Sequence, residues 1–317
     1  MALESVDPPT KVDVLAGPEG AAVVGVEEPP DTEYHKEGIG VMAWLAIGWL
    51  VFIVLVAILA PLLPLKNYMD GDSFNPSVGI FSHGHILGTD ESGRDVLTRA
   101  AYGAQGSLLI GVGSILVGVL IGGLMGLIAG FRGGKTDTVL SAIFNILLAF
   151  PQLVLALSLV AVMSPADQGG AQWGSRVRVV IIAVGIVSIP ILARITRANA
   201  LAWSQRDFVM AARAQGASNS RVMFREVLPN VMPAMLSISL LGIAVVIVLE
   251  GALAIFGLSI SEPDASWGNM INSQISSLDT SPPVWIVPSI LIFLTVLALN
   301  YLGDVVRSRF DVRESAI

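Results

Sequence analysis

Cysteine is absent from all 317 residues. Without thiols the chain can build no disulfide framework, zinc-thiolate site, iron-sulfur cluster or cysteine nucleophile. Charge is scarce too: 14% of residues are Asp, Glu, Lys or Arg against 54% hydrophobic, and mean hydropathy is +0.74. Soluble domains carry about 25% charged residues, so this composition excludes that class and points to a chain solvated largely by lipid. Also missing are a metalloprotease helix, a nucleophile elbow and a carboxylate pair spaced for hydrolysis, which leaves enzyme chemistry without a foothold.

The charge that is present is unevenly placed. The net charge of -7 resides in residues 1–40, where nine acids face only Lys11 and Lys36, while the remainder balances at 16 acids and 16 bases. An acidic, Pro-containing, aromatic-poor leader cannot bury enough apolar area to offset its ordering entropy, so a disordered tail is expected there. It lacks the basic start and short apolar core of a signal peptide and is expected to stay on the mature chain.

Six stretches carry no charge at all: 38–65, 100–131, 138–166, 179–193, 227–249 and 280–303. A charge at mid-bilayer costs several kcal/mol, and a spanning helix needs about 20 mostly apolar residues. These stretches predict an all-α integral membrane protein with helices over about 41–64, 105–130, 139–163, 177–195, 231–256 and 283–303. The fourth is short, but Arg176, Arg178, Arg194 and Arg197 can snorkel to the two surfaces and lengthen it. Placing the N-terminus in the cytosol puts 11 Lys and Arg in the inner segments and five in the outer ones. That bias predicts six spans with both termini cytosolic.

Within the second span Gly118, Gly122, Gly126 and Gly130 recur every fourth residue, with Ser114 extending the ridge. Such a ridge admits another helix closely, and close packing is what holds helices together in lipid. At its end, Gly130-Phe131-Arg132-Gly133-Gly134-Lys135-Thr136 imitates a phosphate loop. A phosphate loop follows a buried strand and opens a soluble helix, whereas this segment follows a membrane helix, so a basic cytosolic turn is the expected structure and the chain should not hydrolyse ATP. His83 and His85 supply two imidazoles but no third ligand, which predicts a solvated loop and no metal site.

The longest inner connection, 204–230, reads as a helix, a left-handed stop at Gly216, and a second short helix capped by Ser218 or Ser220. Pro229 is expected to break the pattern before the fifth span. Small residues Ala211, Ala212 and Gly216 leave the backbone of this knob accessible, while Phe208, Met210, Val222, Met223 and Phe224 offer apolar anchors among arginines, a surface suited to a soluble partner's groove or to packing on itself.

Met210-Ala211-Ala212, then Gly216, then Leu228-Pro229 resembles the Glu-Ala-Ala loop of bacterial ABC importer permeases, with Met210 at the usual Glu position and Glu226 at a usually apolar one. The segments Leu87 to Leu97, Leu147 to Pro151, Glu250 with Phe256-Gly257-Leu258, Ser266-Trp267-Gly268, and Leu294 to Asp304 narrow the likeness to the second permease subunit of dipeptide and oligopeptide importers. The resemblance implies a type I, MetI-like bundle in the bacterial cytoplasmic membrane. It implies a heterodimer with a homologous permease, two cytosolic ATPases that bind ATP and Mg, and an external substrate-binding protein, with no cofactor on this chain and no nucleic-acid partner. It also implies that Phe208, Met210, Ala211, Ala212, Gly216, Leu228 and Pro229 dock the ATPase. Permeases of the same family for nickel, glutathione or oligosaccharides are the nearer alternative, and a secondary transporter the more distant one. Glu250, an ionisable group within or near a span, is a candidate for function or for bonding a neighbouring helix. Asn145, Pro151 and Asn300 read first as packing and kink positions.

Overall fold

The computed structural model describes residues 40–164, 173–275 and 282–314. The acidic leader expected to be disordered lies outside them. Eleven α-helices are present among the described residues: α1 Val41–Leu59, α2 Val96–Gly118, α3 Leu124–Arg132, α4 Gly134–Leu148, α5 Gln152–Met163, α6 Trp173–Ser204, α7 Asp207–Ala214, α8 Asn219–Val222, α9 Leu228–Ile255, α10 Trp267–Asn272 and α11 Pro282–Glu314. A π-helical turn, Val119–Gly123, joins α2 to α3, and another, Met223–Val227, joins α8 to α9. Five continuous helical segments are long and apolar enough to cross a membrane, and a sixth crossing results if α4 and α5 count together.

Local chemistry explains most of the boundaries. Asp95 begins α2 by accepting from the Thr98 amide at 2.8 Å and the Thr98 hydroxyl at 2.9 Å. Ser266 and Asn269 form a reciprocal capping box at the start of α10. The fourth stretch, short by sequence, sits inside the 32-residue α6, which carries Pro190 in its interior.

Of two prolines singled out in the sequence, Pro151 kinks its stretch as expected and Pro229 does not break its own. The third stretch is not one straight helix: α4 and α5 meet at a bend of 89° across Ala149-Phe150-Pro151. Pro151 has no amide hydrogen and pushes Phe150 out of the helical region, so the hydrogen-bond ladder stops there. Pro229, by contrast, breaks nothing, because the chain stays helical from Asn219 to Ile255. Pro229 falls in the first turn of α9, where an amide is dispensable, directly after the π-helical turn.

The core is assembled around α6 and α9. Ile110, Ile115, Ala156, Val160, Val184, Leu192, Val246 and Leu253 unite α2, α5, α6 and α9 in one buried cluster. The glycine ridge sets the spacing of α2 and α3 against α6. A methyl group on Gly122 would lie 2.4 Å from the Ile189 carbonyl oxygen, on Gly126 2.2 Å from that of Ala193, and on Gly130 2.4 Å from that of Arg197. On Gly118 it would meet Leu192 at 2.7 Å and Ser188 at 3.0 Å. Ser114, the extension of the ridge, is fully buried. On the other flank α1 packs on α11 and α2, where Trp49 donates to the Thr295 hydroxyl at 3.2 Å and Gln105 to the Ala57 carbonyl at 2.6 Å.

Candidate functional site

The connection after α6 folds into a hairpin of α7 and α8. α7 ends in a Schellman motif, with the Ala217 amide donating to the Ala212 carbonyl at 3.1 Å and the Gly216 amide to that of Arg213 at 3.0 Å. Gly216 holds φ +83, the left-handed conformation such a stop needs. Ser218 begins α8, its side chain accepting from the Arg221 amide. Of the two candidate serines, it is therefore Ser218 that caps.

The hairpin is fastened to the bundle from beneath. Val209, Val222 and Val227 are fully buried, Met223 nearly so, and they pack with Leu127, Phe131, Ala200 and Val231 of the surrounding helices. Burying each such side chain is worth roughly 1.5–3 kcal/mol, so the knob is a rigid extension of α3, α6 and α9 rather than a loose loop. The Arg213 guanidinium lies 5.1 Å from the centre of the Phe131 ring and adds a further tie. This corrects the sequence reading of Val222 and Met223, which face inward because the end of α8 and the π-helical turn after it present that side to the bundle. Three of the apolar anchors do face outward: Phe208 is 39%, Met210 55% and Phe224 46% exposed. Ala211, Gly216 and Pro229 share that exposure, while Ala212 and Leu228 are half-buried.

At the opposite end of the bundle, Glu250 of α9 is fully buried. Its oxygens accept from the hydroxyls of Ser259 at 2.6 Å, Ser266 at 2.8 Å and Ser107 at 3.3 Å. Ser107 also accepts from the Trp267 amide at 3.1 Å, tying α2 to the start of α10. Gly268 is forced at this crossing, since a methyl there would lie 2.8 Å from the Gly251 α-carbon. Glu250 thus acts as a clasp among α2, α9 and the segment 256–268, the bonding role that was one of its two readings.

Beyond Glu250 lies an ionic cluster, buried at Asp90, Arg94 and Arg99 and exposed at Glu262. Arg94 pairs with Asp90 at 2.7 Å and Glu262 at 2.6 Å, and Arg99 donates to the Pro263 carbonyl at 3.0 Å. Burial opposes the charge on Arg94, but the Glu262 and Asp90 carboxylates outweigh it and hold the guanidinium above its ordinary pKa. Tyr68 donates to Asp264 at 3.3 Å; burial, reinforced by the Asp264 charge, pushes the phenol up to about 12, and burial likewise raises Asp264. His85 is not the solvated residue expected: it is buried, 2.7 Å from Asp95 and 3.1 Å from the Lys66 ammonium, whereas His83 is exposed.

Asn145 is exposed on α4 rather than packed within this subunit, and Asn300 is half-buried with its amide on its own helix at the Val296 carbonyl. The Gly133-Gly134 turn, both residues at positive φ, links α3 directly to α4 with no strand before it. There Arg197 pairs with Asp137 through both carboxylate oxygens, one contact at 2.6 Å, bracing α4 on α6.

Residues 122–315 match the family described as the binding-protein-dependent transport system inner membrane component. The chain belongs to this family of ABC transporter permeases. Over 270 residues it is 36% identical to the dipeptide transport system permease protein of Alkalihalophilus pseudofirmus, covering 84% of this chain and 85% of that one. Over 278 residues it is 36% identical to the glutathione transport system permease protein of Pectobacterium atrosepticum, covering 88% of each. Among solved structures, an inward-facing MetNI methionine ABC transporter aligns with TM-score 0.54 at 20% identity over 67% of this chain and 95% of that one, a likeness of fold. The permease is therefore a MetI-like, multi-pass inner-membrane protein. Sequence reasoning missed the residues that fasten its hairpin, Val209 and Val227, and the serines that bond Glu250. The valines were legible only as apolar positions on either side of the Gly216 turn, and the serines come from α2 and the separate segment 256–268, which only the fold brings together.

Proposed function

We propose that this permease is half of an ATP-driven importer for dipeptides or oligopeptides. The hairpin α7–α8 faces the cytosol, as do both termini, and it docks one of two ATPase subunits that alone bind and hydrolyse ATP with Mg. A homologous permease completes the membrane path, and an external binding protein delivers substrate. The observation that carries this reading is the hairpin: an exposed patch of Phe208, Met210 and Phe224 presented on a knob that buried valines weld to the spans. Exposed aromatic and Met side chains beside arginines are what a protein interface uses, and the welded base lets a push on the knob reach the helices. The relative named for dipeptides favours peptide cargo; the equally similar one named for glutathione supports that tripeptide-like substrate as the second reading.

The test is Gly216→Val in the full complex reconstituted with its ATPases and binding protein. At φ +83 a β-branched side chain strains the stop between α7 and α8 by about 1–2 kcal/mol. Substrate-stimulated ATP hydrolysis and dipeptide uptake should both fall, with the binding protein's affinity for peptide unchanged. Normal stimulation in a complex that keeps both ATPases would refute the docking role.

A further inference from the structure

The bent pair α4–α5 carries a feature that the other spans lack. Away from the two ends of the bundle, the Ser, Thr, Asn and Gln side chains of the charge-free stretches are buried or half-buried among the described residues, with three exceptions. Those three, Asn145, Gln152 and Ser158, are exposed, and all lie on this pair. On this pair the three polar groups sit among exposed Ile143, Ile146, Phe150 and Val154, whereas on the other spans the exposed surface is apolar throughout, as at Val51, Leu55, Leu116, Leu120, Val245 and Phe293. The Ser158 hydroxyl donates to its own helix at the Val154 carbonyl, 2.8 Å, but the Asn145 and Gln152 carboxamides would have no partner in hydrocarbon, at a cost of several kcal/mol, so the surface that carries them does not face lipid.

The main chain gives an independent argument at the same place. Ala149, Phe150 and Pro151 are exposed where the helix breaks, near the middle of the stretch 138–166, and no side chain caps the start of α5. Non-helical backbone at membrane depth is tolerated only against protein or water. Broken helices that meet such conditions mark substrate sites in other transporters.

We infer that Asn145, the Ala149–Pro151 break, Gln152 and Ser158 line the water-filled half-path through this subunit and hydrogen-bond the main chain of a peptide in transit. The peptide part of this inference rests on the importer reading above. The surface carries no charge, so it cannot select by ion pairing. Two carboxamides instead offer donors and acceptors, and the Ser158 hydroxyl, its proton on the Val154 carbonyl, a further acceptor; these match main-chain amides whatever the side chains, which suits a permease whose cargo varies in sequence.

The natural absence of cysteine makes the test direct. Asn145→Cys, Gln152→Cys and Ser158→Cys are each made in the complete complex in proteoliposomes, beside Leu55→Cys on α1 as a lipid-facing control. A cationic, membrane-impermeant methanethiosulfonate is the probe, because it reacts with the thiolate, which forms readily only in water. The three path variants should react at least about tenfold faster than the control, and a dipeptide supplied with the binding protein and ATP should slow them, whereas maltose oligomers or nickel should not. Reaction no faster than at Leu55→Cys, or cross-linking of these variants to the partner permease without labelling, overturns the path assignment. Fast labelling indifferent to dipeptide overturns the peptide contact alone if the same vesicles still take up dipeptide. Absence of dipeptide uptake by the unsubstituted complex refutes the importer reading itself.

Discussion

Gly126→Ala is the substitution whose effect follows most directly from the geometry. The added methyl would sit 2.2 Å from the Ala193 carbonyl oxygen, 2.9 Å from its carbon and 3.0 Å from the Ala193 α-carbon. All three are backbone atoms of α6, so no side chain can swing aside. Relief requires α3 and α6 to separate by about 1 Å, and that gap would also loosen the contacts at Gly122 and Gly130. Overpacking of this kind costs about 1–3 kcal/mol, and lipid offers no compensating hydrophobic drive between helices. For a chain of this size, about 2 kcal/mol corresponds to a fall in Tm of roughly 3–4 °C. The control is Gly251→Ala on α9, where a methyl meets nothing within 4 Å. The assay is the unfolding midpoint of both variants and the unsubstituted permease in one detergent. Equal midpoints for the two variants, or a stabilised Gly126→Ala, would refute the claim that this ridge sets the distance between α3 and α6.

Other expectations follow from the ionic and hydroxyl contacts. Glu250→Ala leaves the Ser107, Ser259 and Ser266 hydroxyls without their shared acceptor, a loss of about 3 kcal/mol or more, and should lower the yield of assembled complex. Glu250→Gln keeps one acceptor and should assemble; full assembly with abolished uptake would assign the residue to substrate instead. Arg197→Asp alone sets like charges against each other where α4 meets α6 and should reduce thermal stability, while the double variant Asp137→Arg with Arg197→Asp should recover most of the loss, by about 1 kcal/mol or more in a double-mutant cycle. Absence of recovery would show that the pair does not brace the two helices.

The membrane architecture was legible because its causes are local. Runs without charge mark helices, Gly216 marks a left-handed stop, and a glycine every fourth residue marks a seam whatever the rest of the chain does. What escaped the sequence depends on pairing across distance. Pro229, like Pro190 and Pro288, lies within a continuous helix, whereas Pro151 bends its stretch by 89°, and only the packing around each decides which. Val222 and Met223 looked like anchors for a partner because composition shows that a side chain is apolar but not which side of a short helix and the turn after it meets the bundle. His85 likewise looked solvated, since its partners Lys66 and Asp95 reach it only through the folding of the segment before α2.

The proposed importer works only if the hairpin is a cytosolic seat for an ATPase. The most direct measurement is the reaction of a Met210→Cys variant with an impermeant maleimide, in intact cells and in inverted membrane vesicles. The prediction is no labelling in intact cells, labelling in vesicles stripped of ATPase, and protection when the ATPase subunits are added back. Labelling from outside intact cells, or labelling in vesicles that the ATPases leave unchanged, would contradict it.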